Sequence, residues 1–125
     1  MSNTYLYILI ALLAGAMMPT QAATNNKMAA FVESPLLAAL ISFFVGTIAL
    51  FLIVLFSGVP LARLLAARNA PVVAWAGGLL GAFFVFSAVT LVPRIGVAAT
   101  FSLFIAGQMI ITLIIDHFGL LGVEV

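Results

Sequence analysis

A chain of 125 residues that is 66% hydrophobic and only 6% charged cannot coat itself with a polar shell, because a soluble domain carries about 25% charged residues; its solvent is lipid. A net charge of +1 with four scattered basic residues gives no patch for nucleic acid. The lack of cysteine and the single histidine exclude a disulfide framework and a thiolate metal site, and no hydrolytic triad is discernible, so no enzyme chemistry, metal or cofactor is expected.

The first apolar run, Tyr5 to Met18, is followed by Thr20-Gln21-Ala22-Ala23. This imitates a signal peptide with its cleavage site, but Met1-Ser2-Asn3-Thr4 carries no positive charge, so a retained helix is expected instead. Helix one is predicted over 5–23, about 28 Å of rise and enough for one crossing, interrupted by Pro19, which removes a backbone donor. Gln21 and Asn25 are four apart and share a face. They read either as the helix end at the headgroups or as a polar patch at the mouth of a substrate cavity, since broken helices line such sites in transporters. Asn26, Lys27 and Glu33 are assigned to the first connection.

Ser34 as N-cap and Pro35 as first helical residue open helix two, predicted over 35–56. Within it Ser42 and Gly46 offer a small-residue face for close helix packing. Ser57-Gly58-Val59-Pro60 ends the run, and Arg63 and Arg68 in the next segment reach toward headgroups from a short interfacial turn. Helix three is predicted over 71–92, with Trp75 near the interface and Gly77 and Gly81 forming a GxxxG packing pair. Phe83, Ser87 and Thr90 share another face, and the simplest fate of the two hydroxyls is a bond to their own helix backbone. A hinge is expected at Pro93-Arg94. Helix four, predicted over 97–115, carries a stripe of Ala98, Ser102 and Ala106 for packing, with Gln108 and Thr112 on a different face. Gln108 falls near the middle of the span, where an unpaired amide is costly and must face protein or water. It is either an interhelical tie or a substrate contact. Asp116 and His117 close the helix, as a hydrated terminus stopped by Gly119 or Gly122, or as a proton-sensitive gate.

The expected fold class is therefore all-α, a single polytopic domain over 1–125 with four transmembrane helices. Arg63 and Arg68 fall on one side of the membrane, Lys27 and Arg94 on the other. With no bias in the basic residues, the chain is expected to insert both ways and to pair as an antiparallel, dual-topology dimer, with itself or with a homologous small subunit. The residues expected to meet a small-molecule substrate are Gln108, Thr112, Gln21, Asn25 and Ser87. Two other classes compete with a transporter: a passive dual-topology channel for a small ion, its path lined by Phe83, Phe84, Phe101 and Phe104, and a structural helix bundle.

Several short motifs occur together: Gln21-Ala22-Ala23-x-Asn25, Ser34-Pro35 with Gly46-Thr47, Trp75-x-Gly77-Gly78-x-x-Gly81, Val92-Pro93-Arg94, Gly107-Gln108 and Asp116-His117-Phe118-Gly119. In these the chain resembles the YdcZ-type inner-membrane exporters of the bacterial drug/metabolite transporter superfamily. The resemblance implies a helical bundle in the bacterial inner membrane, export of small molecules, and assembly as antiparallel pairs or fused halves. Members of that family usually carry a fifth helix after the Asp-His-Phe-Gly segment, whereas four are expected here, a plan close to the small multidrug exporters of the same superfamily. Those exporters couple to protons through a glutamate in helix one. Here that helix offers Gln21, whose amide does not exchange protons in that way, so the familiar proton-coupled route is not expected.

Overall fold

The computed structural model describes residues 2–122. Its long elements are four helices, α1 (Ser2–Val32), α2 (Pro35–Phe56), α3 (Val72–Ile95) and α4 (Val97–Phe118), each long and apolar enough to cross a membrane. A 3-10 segment, Leu61–Asn69, links α2 to α3, and a 3-10 turn, Leu120–Gly122, follows α4.

The helix ends differ from expectation for reasons of backbone hydrogen bonding. α1 continues past residue 23 and holds Pro19, Asn26 and Lys27 inside it. Its polar side chains bond to the helix's own carbonyls and so do not break it: Thr20 Oγ1 donates to Ala16 O at 2.9 Å, Thr24 Oγ1 to Gln21 O at 2.8 Å and Asn26 Nδ2 to Ala22 O at 2.9 Å. In lipid the backbone has no water to fall back on, which holds a helix together through a proline or a polar turn. The first connection is only Glu33 and Ser34. Glu33 adopts φ 52, and Ser34 is the N-cap of α2, its Oγ accepting from Leu37 N at 3.3 Å, with Pro35 in the first turn.

α3 likewise runs through Pro93 to Ile95, and the chain turns at Gly96, not at Pro93-Arg94. The Val92 carbonyl still accepts from Gly96 N at 3.0 Å, and Arg94 Nη1 donates to the Thr90 carbonyl at 2.7 Å, satisfying one of the last free acceptors. Gly96 has φ 85, open to glycine and strained for other residues. α4 extends to Phe118, so Asp116 and His117 belong to its last turn. Gly119 in the left-handed conformation caps it, donating to Ile115 O.

The buried residues are Ala22 and Asn25 on α1, Ala38 and Ala39 on α2, Val85, Ala88 and Val89 on α3, and Thr100 on α4. All lie in the half of the bundle nearer the two tight turns at Glu33-Ser34 and Gly96. The small side chains let α1, α2 and α3 pack against one another, and α4 packs on α3 and more sparsely on α1. Away from those turns each helix loses its cover along one row of residues four apart. Val89 and Val85 are buried, Gly81 half-buried and Gly77 exposed; Ala38 is buried, Ser42 and Gly46 half-buried and Leu50 exposed; Thr100 is buried, Phe104 half-buried, and Gln108 and Thr112 exposed. The bundle thus has a packed end at the two turns and an open end at the 3-10 segment.

Two packing expectations change. The Ala98, Ser102 and Ala106 stripe is exposed. α4 docks instead through the opposite side, where Thr100 is buried and the Phe104 ring lies 4.8 Å from Phe84 and 5.5 Å from Phe101. Aromatic pairs in such tilted and edge-on arrangements contribute about 0.5–1.5 kcal/mol beyond the area they bury. Of the four phenylalanines expected along an ion path, Phe84 and Phe104 pack ring to ring between α3 and α4, Phe101 packs on Phe104, and Phe83 is 71% exposed. Of the GxxxG pair, Gly81 faces α2, where an added Cβ would stand 3.5 Å from the Phe43 ring, while Gly77 has nothing within 4 Å.

Candidate functional site: a polar groove between two helices

Because α1 and α2 are antiparallel and joined by two residues, positions equally far from the turn face each other. Asn25 and Ser42 each lie about 12 Å of helical rise from Glu33-Ser34, and both line one groove. This groove, of about 290 Å³, is lined by Gln21, Thr24, Asn25 and Met28 of α1 and Ala38, Ile41, Ser42 and Val45 of α2. A second hollow of about 200 Å³ shares Gln21 and Ser42 and adds Phe43, Gly46, Thr47 and Leu50. Another hollow, between α2 and α3, is walled by Leu36, Leu37, Ala39, Leu40, Phe43, Ala82 and Phe86, with no polar side chain.

The groove's polar side chains divide into two kinds. Thr24 and Thr47 spend their hydroxyls on helix carbonyls, Thr47 on Phe43 O at 2.8 Å. Asn25 does not: it is 8% exposed, and its Nδ2 is buried with no hydrogen-bond partner. Such an orphan costs about 1–3 kcal/mol. Gln21 is exposed at the groove and Ser42 is half-buried. On α3 the Thr90 hydroxyl is also buried without a partner, contrary to the expected bond to its own helix.

The structure brings together Gln21 and Asn25, as the four-residue spacing predicts, and joins Ser42 and Gly46 to them. Ser42 and Gly46, anticipated as packing residues, thus also form groove wall. Thr24 and Met28 are additional lining residues not anticipated from the sequence, and Thr47, noted there only within the Gly46-Thr47 motif, also lines the hollow; the signal for all three was distance from the Ser34-Pro35 turn. Ser87 is half-buried on α3. Gln108 and Thr112 are exposed on α4, where they continue the row of Thr100 and Phe104 out of the packed end. Asp116 and His117 are exposed in the last turn of α4, and the His117 ring lies edge-on to Phe118 at 4.8 Å. Among the described residues no cluster of three or more His, Asp or Glu side chains forms that would hold a metal ion.

Chemically the groove offers two amides and a hydroxyl inside a membrane span, with apolar walls. It provides hydrogen bonds and no titratable group.

Comparison with curated proteins and with solved structures returns no match. A family model does match, over residues 6–125, and its description is "Putative inner membrane exporter, YdcZ". Four spanning helices and a match over nearly the whole sequence agree: the chain belongs to the YdcZ family of inner-membrane exporters, multi-pass proteins of the bacterial inner membrane.

Proposed function

We propose that the chain exports a small polar molecule through the α1–α2 groove, working as an antiparallel pair formed with itself or with a homologous small subunit. The observation that carries the reading is Asn25, an amide buried in a membrane span with its donor unused, beside a groove that also presents Gln21 and Ser42. A purely structural bundle gains nothing from such a group, whereas a substrate site gains a ready hydrogen bond. In the pair, Gln108 and Thr112 on the exposed row of α4 and the uncovered Ala98, Ser102 and Ala106 stripe are surfaces for the second copy or for the substrate path. Ser87, half-buried on α3, is a further substrate contact, and Asp116 and His117 stand as the gate at the far end of α4.

The absence of native cysteine makes the test direct. Gln21→Cys and Ser42→Cys, reconstituted in vesicles, should react with a membrane-impermeant thiol reagent, while Phe44→Cys, about 200° round α2 from Ser42 and outside the groove lining, should not. No reaction at either groove position from either side of the membrane would mean that water does not enter the groove and that this export path is wrong.

A further inference from the structure

Resting on that path, we infer that the groove selects an uncharged molecule carrying a hydrogen-bonding head on a short apolar body, and rejects organic cations. Three observations lead there. The Asn25 side chain is an amide whose Nδ2 is buried without a partner, and an amide both donates and accepts, so its complement is another uncharged hydrogen-bonding group. The groove has no ionisable side chain. Lys27 lies about 200° round α1 from Asn25, Glu33 sits in the turn, and Asp116 in the last turn of α4. An organic cation entering would shed its water and meet no carboxylate, and an anion would meet no guanidinium or ammonium group. A neutral polar head instead exchanges hydrogen bonds to water for bonds to Asn25, Gln21 and Ser42, nearly one for one. Met28, Ile41 and Val45 then face its apolar body, and a space of about 290 Å³ is at the small end of ligand pockets.

The test uses the full chain in phosphatidylcholine vesicles with Val45→Cys as reporter, which leaves the polar side chains in place. Hexanamide, hexylammonium and hexanoate present comparable short apolar tails with a neutral, a cationic and an anionic head. Hexanamide should slow thiol labelling saturably, and the two ions should not at the same concentration. Adding Asn25→Leu should raise the hexanamide concentration needed at least tenfold. Adding Asn25→Asp should let hexylammonium protect, with Gln21→Leu as a second variant should either substitution at Asn25 fail to fold. Protection of the parent protein by hexylammonium at or below the hexanamide concentration, no protection by hexanamide, or protection indifferent to both Asn25→Leu and Gln21→Leu would each overturn the inference. If the reporter labels but is unprotected, the neutral-substrate inference falls and the path stands; if the groove cysteines never label, the path itself falls.

Discussion

Asn25 and Asn26 are adjacent, yet they do opposite things. Asn26 is tied to Ala22 O, and Asn25 leaves its donor buried and idle. Replacing Asn25 by leucine, of similar size, should therefore raise the unfolding free energy in detergent by about 1–3 kcal/mol while impairing flux, a trade of function against stability common at binding sites. Lower stability together with normal flux would show that Asn25 is an ordinary packing residue. Gln108 is exposed on α4, so Gln108→Leu should leave the unfolding of the isolated chain unchanged and act, if at all, on pairing or flux. Pair stability and flux measured on that one variant separate an interhelical tie from a substrate contact, and a fully paired, fully active protein would leave Gln108 with neither role. The Gln21–Asn25 half of the groove was legible in the sequence because one helix's periodicity is enough to place two residues on a face. The Ser42 half was not, since it depends on how two helices dock. The orphaned donor was invisible, because no sequence pattern reveals which amide finds a partner.

At the scale of elements, the four spans were legible from their apolar runs, and their ends were not. Hydropathy falls at Thr24–Lys27 and a proline stands at position 93, yet both stretches are helical, because the backbone satisfies itself more cheaply than it can be hydrated in lipid. The turn between α1 and α2 offers a test. Glu33 has φ 52, a left-handed conformation that glycine adopts without the penalty of a Cβ. Glu33→Gly should stabilise the chain by about 1 kcal/mol, read as a shift in its detergent unfolding transition; a loss of stability would mean that the glutamate side chain makes a contact worth more than the strain. On α3, Gly81→Leu meets the Phe43 ring and should destabilise the packing of α3 on α2 by about 1–3 kcal/mol, whereas Gly77→Leu, with open space around it, should leave the isolated chain unchanged. If Gly77→Leu weakens only the paired state, the open end of α3 is where the second copy sits.

For the whole molecule, the basic residues divide evenly: Lys27 and Arg94 at the packed end, Arg63 and Arg68 at the open end. Lys27 is inside α1 and not in a loop, but it remains close enough to the helix end to count toward orientation. Reporters fused to the C-terminus should accordingly report both sides of the membrane, and two lysines added beside Arg63 should drive the population to one. A strictly single orientation in the unmodified chain would remove the homodimeric antiparallel pair and leave only a homologous partner. The length of α1 has a further consequence. Its 31 residues rise about 46 Å, against about 33 Å for α2 and a hydrocarbon layer of about 30 Å. Tied to α2 by a two-residue turn, α1 overshoots it by about 13 Å, and this overhang belongs to an exposed apolar arm, residues 5–17, which stays within the hydrocarbon only by leaning, most readily at Pro19. Gln21 stands two residues from that bend, so flux in phosphatidylcholines of graded acyl length should peak at one membrane thickness and fall on either side, and Pro19→Ala, by stiffening the arm, should narrow that peak.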